Sequence, residues 1–241
     1  MEWFENWFDS KYYHILYSKR NSDEAGKLIN NLINQLKPSK NDQFLDLGCG
    51  TGRHAKYLNK YGFSVDGFDI SKKSLIEAKK MENKKLKFYL KDMRFFNEKN
   101  KYNYILNLFT SFGYFQNEED DQKVFTNIEQ SLKRGGYFIL DFFNSTKIIT
   151  DLIPFEIKKI NNIEFKIKKH YDDKFIYKNI SITDKSNKHN FTEKVKLITE
   201  KKFINYAKRV NLKLLTKYGD YDLNQYNNSS ERLILVFKKP N

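Results

Sequence analysis

The stretch Phe44-Leu-Asp-Leu-Gly-Cys-Gly-Thr-Gly52 carries the clearest chemistry in the chain, an apolar run that enters three closely spaced glycines. Only a residue without a side chain lets the backbone turn this tightly and approach a nucleoside-bearing ligand. Alone, the pattern fits a dinucleotide site, a phosphate site or a structural turn, so its meaning depends on the ends of later strands. Two acids stand there: Asp69 after a predicted second strand from about Ser64 to Phe68, and Asp92 after a third, Leu86 to Leu90. Cys49, the only cysteine, excludes an internal disulfide and a thiolate zinc cluster, and its small size suits the turn. No His/Asp/Glu set has metal-ligand spacing, so no metal is expected.

The elements that must position these residues show in the hydrophobic spacing. Ala25, Leu28, Ile29, Leu32, Ile33 and Leu36 recur at helical intervals and stop before Pro38, which predicts a helix leading into a first strand, Phe44 to Leu47. A helix from Arg53 to Tyr61 follows the glycine turn. Ser71 can cap the next one, through Lys80. Strands are predicted at Leu86 to Leu90, Tyr102 to Leu108 and Tyr137 to Phe142, with a helix between the last two that begins in the acids after Asn117 and ends at Gly135-Gly136. Strands alternating with helices imply a parallel sheet with right-handed crossovers and ligands at its carboxyl edge.

Beyond this the period changes to two. Ile163, Phe165 and Ile167 alternate with polar residues, and Phe175 to Thr183 and Glu193 to Thr199 are further β-rich runs, so a small antiparallel flap is expected over 155–199. A helix (Glu200 to Val210) and two strands (Leu212 to Lys217, Arg232 to Lys238) complete the order. The fold class is α/β: a Rossmann-like, doubly wound seven-stranded sheet with its last strand antiparallel, and the flap inserted after the fifth strand. One domain over 1–241 is expected.

The formal charge of +14 would suit nucleic acid or an anionic membrane surface. Lysine is spread along the whole chain, however, and arginine, the better phosphate clamp, is scarce. Nucleic acid is therefore the less favoured partner. No run reaches the roughly 18 apolar residues of a membrane span, and the N-terminus carries acids where a signal peptide needs basic residues. A cytoplasmic protein with no membrane partner is expected; the oligomeric state is not legible.

Four landmarks in order resemble the class I S-adenosylmethionine-dependent methyltransferases: Leu45-Asp-Leu-Gly-Cys-Gly-Thr-Gly52, Phe68-Asp-Ile-Ser71, Lys91-Asp-Met-Arg94 and Leu132-Lys-Arg-Gly-Gly-Tyr-Phe138. The resemblance implies S-adenosyl-L-methionine as cofactor and S-adenosyl-L-homocysteine as product. Gly48, Gly50 and Gly52 would let the backbone pass its methionine and ribose portions, with Cys49, Ile70 and Leu108 in the same wall. Asp46 would accept from the ammonium or an ordered water. Asp69, near the ~20-residue offset of a ribose-binding acid, would take both ribose hydroxyls. Asp92 would accept from the adenine amine beside Met93. Each acid could instead cap a helix or close a turn.

Methyl transfer needs alignment of a nucleophile more than covalent help. The segment Tyr12-Tyr-His-Ile-Leu-Tyr-Ser-Lys-Arg20 resembles the N-terminal lid (1–22 here) of small-molecule N-methyltransferases, including those acting on amino sugars, which also carry a flap in this place. In that likeness Tyr17 faces the methyl group and Arg20 lies nearer the cofactor carboxylate. Trp3, Phe4, Trp7 and Phe8 read as the lid's packing anchor. His14 is the candidate base, while His54, His170 and His189 read as structural or solvated. Ser111 and Tyr114, after the fourth strand, could reach the acceptor; a tyrosine, with a reference pKa of ~10, would orient an amine rather than deprotonate it. Asn107-Leu-Phe-Thr110 stands where DNA-amine methyltransferases have Asn-Pro-Pro-Tyr. A small-molecule acceptor is favoured, an amine ahead of a hydroxyl or carboxylate. tRNA or rRNA methylation and a non-catalytic cofactor-binding module are the alternatives.

Overall fold

Near-complete burial of Phe44 to Leu47 on both faces makes Gln43–Leu47 (β1) an interior strand of the sheet in the computed structural model, which describes residues 2–18 and 22–241. The remaining strands of this sheet are β2 (Ser64–Asp69), β3 (Leu86–Leu90), β4 (Tyr102–Asn107), β5 (Leu132–Phe143), β10 (Lys213–Tyr218) and β11 (Arg232–Lys238). Their order is β10-β11-β5-β4-β1-β2-β3. β11 runs antiparallel to both neighbours and the first five strands are mutually parallel, as the sequence predicts.

The order reverses between β1 and β4, so a crevice opens above the carboxyl ends of those two strands. Helices α3 (Ser22–Leu36), α4 (Arg53–Lys60) and α5 (Lys72–Lys79) bury Leu28, Ile29, Ala55, Leu58, Leu75 and Ala78 on one face. On the other, α6 (Glu118–Ser131) and α8 (Glu200–Arg209) bury Val124, Phe125, Ile128, Phe203 and Tyr206.

Four strands form the flap, in the order β6 (Phe155–Ile160), β7 (Ile163–Tyr171), β8 (Phe175–Asp184), β9 (Asn187–Lys196), all antiparallel. β6 escapes sequence reading because it is an edge strand whose Phe155 and Ile157 stay exposed, so its period has no buried face behind it. The short helix α7 (Ser145–Thr150), capped by Asn144, was not expected either. Two short helices, α1 (Trp3–Phe8) and α2 (Lys11–Leu16), pack Trp7, Tyr12 and Leu16 against Ile163, Phe165, Ile167, Ile180 and Ile182 of the flap. The aromatic N-terminus thus packs these two helices onto the flap.

One boundary differs from expectation. α6 ends at Ser131, not at Gly135-Gly136, because Leu132 is already extended and pairs with Tyr102. The pairing then skips from Tyr102–Leu132 to Tyr104–Tyr137, and the intervening turn contains Gly135 at φ 72°, whose N–H bonds the Lys239 carbonyl. The two glycines turn the chain inside the strand instead of closing the helix.

The flap is fastened to the main body by a buried ion pair. Lys196, at the end of β9, bonds the Asp121 carboxylate of α6 and, at 3.0 Å, the Asn117 carbonyl. Removing one partner of a buried pair strands the other charge, at a cost of about 3–5 kcal/mol. Lys196→Ala is therefore expected to lower the unfolding free energy by that amount, as read from urea denaturation, while the double change Lys196→Met/Asp121→Leu recovers most of it.

Candidate active site

The crevice at the switch point is a cavity of about 700 Å³, walled by the glycine turn, the ends of β2 and β4, the segment 91–93, the lid and flap strands β7 to β9. Its floor is the turn after β1. Gly48, Gly50 and Gly52 all have positive φ (78°, 54° and 78°), which L side chains adopt only under strain. The three differ in what a side chain would meet. At Gly48 a Cβ would sit 2.7 Å from the Ser111 Cβ, and at Gly52 it would sit 2.6 Å from the Phe88 ring. At Gly50 it would meet nothing within 4 Å and would project into open space. Gly48 and Gly50 line the cavity, whereas Gly52 serves the packing of the turn onto β3.

Asp69 ends β2 and ties this turn down. Its carboxylate accepts from the Gly50 N–H at 2.7 Å and from the Ser71 N–H at 2.8 Å. Burial pushes its pKa up, opposed by the backbone N–H groups of Ser71, Gly50 and Ile70. Asp69 and Ile70 both face the cavity, and a carboxylate with four lone-pair directions still has acceptor capacity for a diol. Leu108 and Cys49 are wall residues too. Burial holds the Cys49 thiol well above its ordinary pKa, so it is no nucleophile.

Asp46 lies outside the wall. It is buried beneath the turn and accepts from the Ala55 N–H at 3.2 Å, stabilising the start of α4. Asp92 and Met93 line the cavity, but both Asp92 oxygens are bonded to Arg94, Oδ2 at 2.6 Å from Nη2 and Oδ1 at 2.8 Å from the backbone N–H. Arg20 lies outside the described residues.

The second half of the wall holds the acceptor-side candidates. The Tyr17 hydroxyl donates to Glu193 Oε1 on β9 at 2.5 Å and accepts from the Lys178 ammonium on β8 at 2.6 Å. His14 lines the same cavity nearer α5, with Asp9, Lys73 and Glu77 as charged neighbours; burial lowers its pKa, and its Nε2 has no partner among the described residues. Tyr114 donates its hydroxyl to the Thr110 carbonyl and packs against Trp3 and Phe8 of the lid. Ser111 donates to the Gly48 and Leu108 carbonyls, so it braces the glycine turn. His54 is buried next to the turn, and His170 stacks on Tyr177 at the flap surface.

The segment from Phe109 to Tyr114 lines the cavity as a candidate acceptor-side region, but how it is held escapes sequence reading. Phe109 and Thr110 follow β4 with φ of 59° and 60°, a strained pair for residues with side chains. The buried Asp141 holds them: its Oδ2 accepts from the Phe109 N–H (2.8 Å) and from the Tyr221 hydroxyl (2.9 Å), and its Oδ1 from Arg232 Nε (2.8 Å). Arg232 also donates to Thr110 Oγ1 at 3.0 Å. Asp141 could have been noticed as a third strand-end acid, set between Leu140 and Phe142. Lys178 and Glu193 give no such signal, because they sit on polar strands rich in lysine. Among the described residues no group of three or more His, Cys, Asp or Glu could hold a metal ion.

Sequence and fold are shared with known proteins. The methyltransferase domain family matches residues 38–206. The chain belongs to that family. Over 132 residues it is 30% identical to a Haemophilus influenzae protein named probable S-adenosyl-L-methionine-dependent methyltransferase TehB, covering 54% of this chain and 44% of that one. Over 131 residues it is 26% identical to the dTDP-3-amino-3,4,6-trideoxy-alpha-D-glucopyranose N,N-dimethyltransferase of Streptomyces venezuelae, covering 54% of each. The chain thus spans about half the length of these curated relatives. The fold of this methyltransferase domain extends further: the crystal structure of an S-adenosylmethionine-dependent methyltransferase from Clostridium acetobutylicum superposes with a TM-score of 0.79 at 21% identity, over 95% of this chain and 96% of that one.

Two buried groups of the domain titrate in opposition. Burial raises Asp46 from 3.8 to about 7, so its contribution to stability is full below pH 4 and is lost as pH rises through 7. Burial, with Arg53, lowers His54 from 6.5 to about 3, so its contribution is full above pH 6.5 and is lost as pH falls toward 3. Between these limits the two slopes offset. Relative to wild type, Asp46→Asn is expected to gain stability steadily from pH 4 to 7, and His54→Gln to gain it from pH 6.5 down to 4, as read from denaturant midpoints across pH.

Proposed function

We propose that this chain is an S-adenosyl-L-methionine-dependent methyltransferase acting on an amine of a small molecule. The observation that carries this reading is the continuity of one cavity from Gly48, Gly50 and Asp69 to Tyr17, Lys178 and Glu193. A module that only bound the cofactor would have no use for walled space beyond it. A volume of about 700 Å³ lies within the usual ~300–1,000 Å³ of small-molecule sites.

The residues fit the adenosyl group. Gly50 leaves open the space that any Cβ would fill, and Asp69 presents a carboxylate beside it. Cys49, Ile70, Met93 and Leu108 supply apolar surface, and Asp92 stands next to Met93. When bound, the cofactor supplies a sulfonium-activated methyl group, and the protein's part is to orient the acceptor and exclude water. The lid helices and flap strands close the cavity on the acceptor side, which a folded RNA would have to displace. Tyr17, with its hydroxyl held by Glu193 and Lys178, is placed to orient an amine. The name of the Streptomyces venezuelae relative, an N,N-dimethyltransferase of an amino sugar nucleotide, supports the amine over a hydroxyl.

Incubation with methyl-labelled cofactor, a pool of amines including amino sugars and their nucleotide conjugates, and total tRNA tests the reading. Label in a small amine is expected; label confined to RNA, with affinity falling steeply with salt, would overturn it. Asp69→Ala is expected to weaken cofactor binding by about 1–3 kcal/mol in calorimetry. Tyr17→Phe is expected to slow turnover and leave cofactor affinity within about twofold; equal turnover would remove Tyr17 from the site.

A further inference from the structure

The lid meets the flap through two carboxylates that differ in what they touch. Asp184, at the outer end of β8, accepts from Lys11 Nζ and from the Tyr12 hydroxyl, each at 3.0 Å. This contact is at the protein surface, since the Lys11 side chain is 63% exposed. Glu193, in the middle of β9, lies inside. Its Oε1 accepts from the Trp7 indole N–H at 2.7 Å and from the Tyr17 hydroxyl at 2.5 Å, and its Oε2 pairs with Lys178 Nζ at 2.8 Å.

Lys178 and Glu193 face each other across β8 and β9, so the backbone register sets their spacing. Lys178 also donates to the Tyr17 oxygen, which closes a three-membered ring of contacts: hydroxyl to carboxylate, carboxylate to ammonium, ammonium to hydroxyl. Burial alone would raise the Glu193 pKa, but Lys178, Tyr17 and Trp7 together bring it below its ordinary value. The carboxylate is therefore charged near neutrality and accepts from three donors on three elements. A phenol on a helix end can rotate about two side-chain bonds; one that both donates to a fixed carboxylate and accepts from a fixed ammonium has a single orientation.

We infer that Glu193 and Lys178 are positioning residues that act through Tyr17, fixing its hydroxyl at the acceptor side of the cavity, while Asp184 only attaches the lid. This rests on the methyltransferase reading for its kinetic consequence but not for its structural one. No proton transfer is assigned to Glu193, whose charge is committed to Lys178 and whose role is geometric. Misplacement of an orienting group by about 1 Å can cost on the order of a hundredfold in rate, so the effect should fall on kcat.

The test uses the full chain labelled with 13C at tyrosine Cζ, the Tyr17 resonance being assigned by its loss in Tyr17→Phe. Glu193→Gln, close in shape and still an acceptor for Trp7, and Lys178→Met are each expected to move that resonance, and Asp184→Asn to leave it in place. With an acceptor in hand, Glu193→Gln should lower kcat roughly tenfold to a hundredfold with cofactor Kd within about twofold. It should add nothing in a Tyr17→Phe background, whereas Asp184→Asn should retain wild-type kcat. An unmoved Tyr17 resonance in Glu193→Gln, an equal loss of kcat in Asp184→Asn, or effects that multiply with Tyr17→Phe would each overturn the inference. Absence of cofactor binding in the unaltered protein would defeat the methyltransferase reading instead, and the resonance would still decide whether Glu193 positions Tyr17.

Discussion

The contact on which the rest of the site depends is the Asp69 carboxylate bonded to the Gly50 and Ser71 N–H groups. It joins the turn after β1 to the end of β2 and sets the glycine main chain against the cavity. Gly50 adopts φ 54° with open space where its side chain would stand, so the main chain there faces the cavity bare. The same tie reaches the lid. Ser71 donates its hydroxyl to the Phe8 carbonyl and Asp9 carboxylate, and Asp9 accepts from the Lys73 N–H, so the lid is seated on the first turn of α5 directly beside Asp69.

The N-terminal helices therefore bridge two structures remote in sequence: the floor made by β1 and β2, and the flap. At the floor it is held by Asp9 and Ser71; at the flap by Trp7, Tyr17 and the apolar cluster with Phe165 and Ile167. The flap is in turn fixed to α6 by Lys196 and Asp121. Tyr114 packs on Trp3 and Phe8, so the segment after β4 leans on the same lid. The glycine turn, the N-terminal helices, the flap and the segment after β4 brace one another, which is how residues from segments far apart in the chain are kept at hydrogen-bonding distance without a continuous element between them.

Much of this was legible because it obeys local rules. The glycine turn, the capping Ser71, the strand-end acids and the change of period at the flap each follow from propensity or spacing within a few residues. The parallel sheet with its last strand antiparallel followed from alternating strands and helices; the spatial order of the strands was not read from the sequence. What was not legible depends on partners remote in sequence. Glu193 and Lys178 look like ordinary polar strand residues until the lid meets them. Asp46 looks like a site acid, but the strand directs it beneath the turn, to the Ala55 N–H. Arg94 reads as part of a cofactor segment, yet it spends its guanidinium on Asp92, with Glu2 at 2.8 Å. Gly135-Gly136 resembled a helix stop because nothing local reveals the bond to the Lys239 carbonyl that turns the chain there.

Calorimetric titration of the chain with S-adenosyl-L-homocysteine and with NAD, in parallel with the Gly50→Val variant, tests the central claim most directly. The account predicts one-site binding of the homocysteine derivative, abolished by a side chain at position 50, and no heat from NAD. Binding that survives Gly50→Val unchanged, or a preference for NAD, would contradict it.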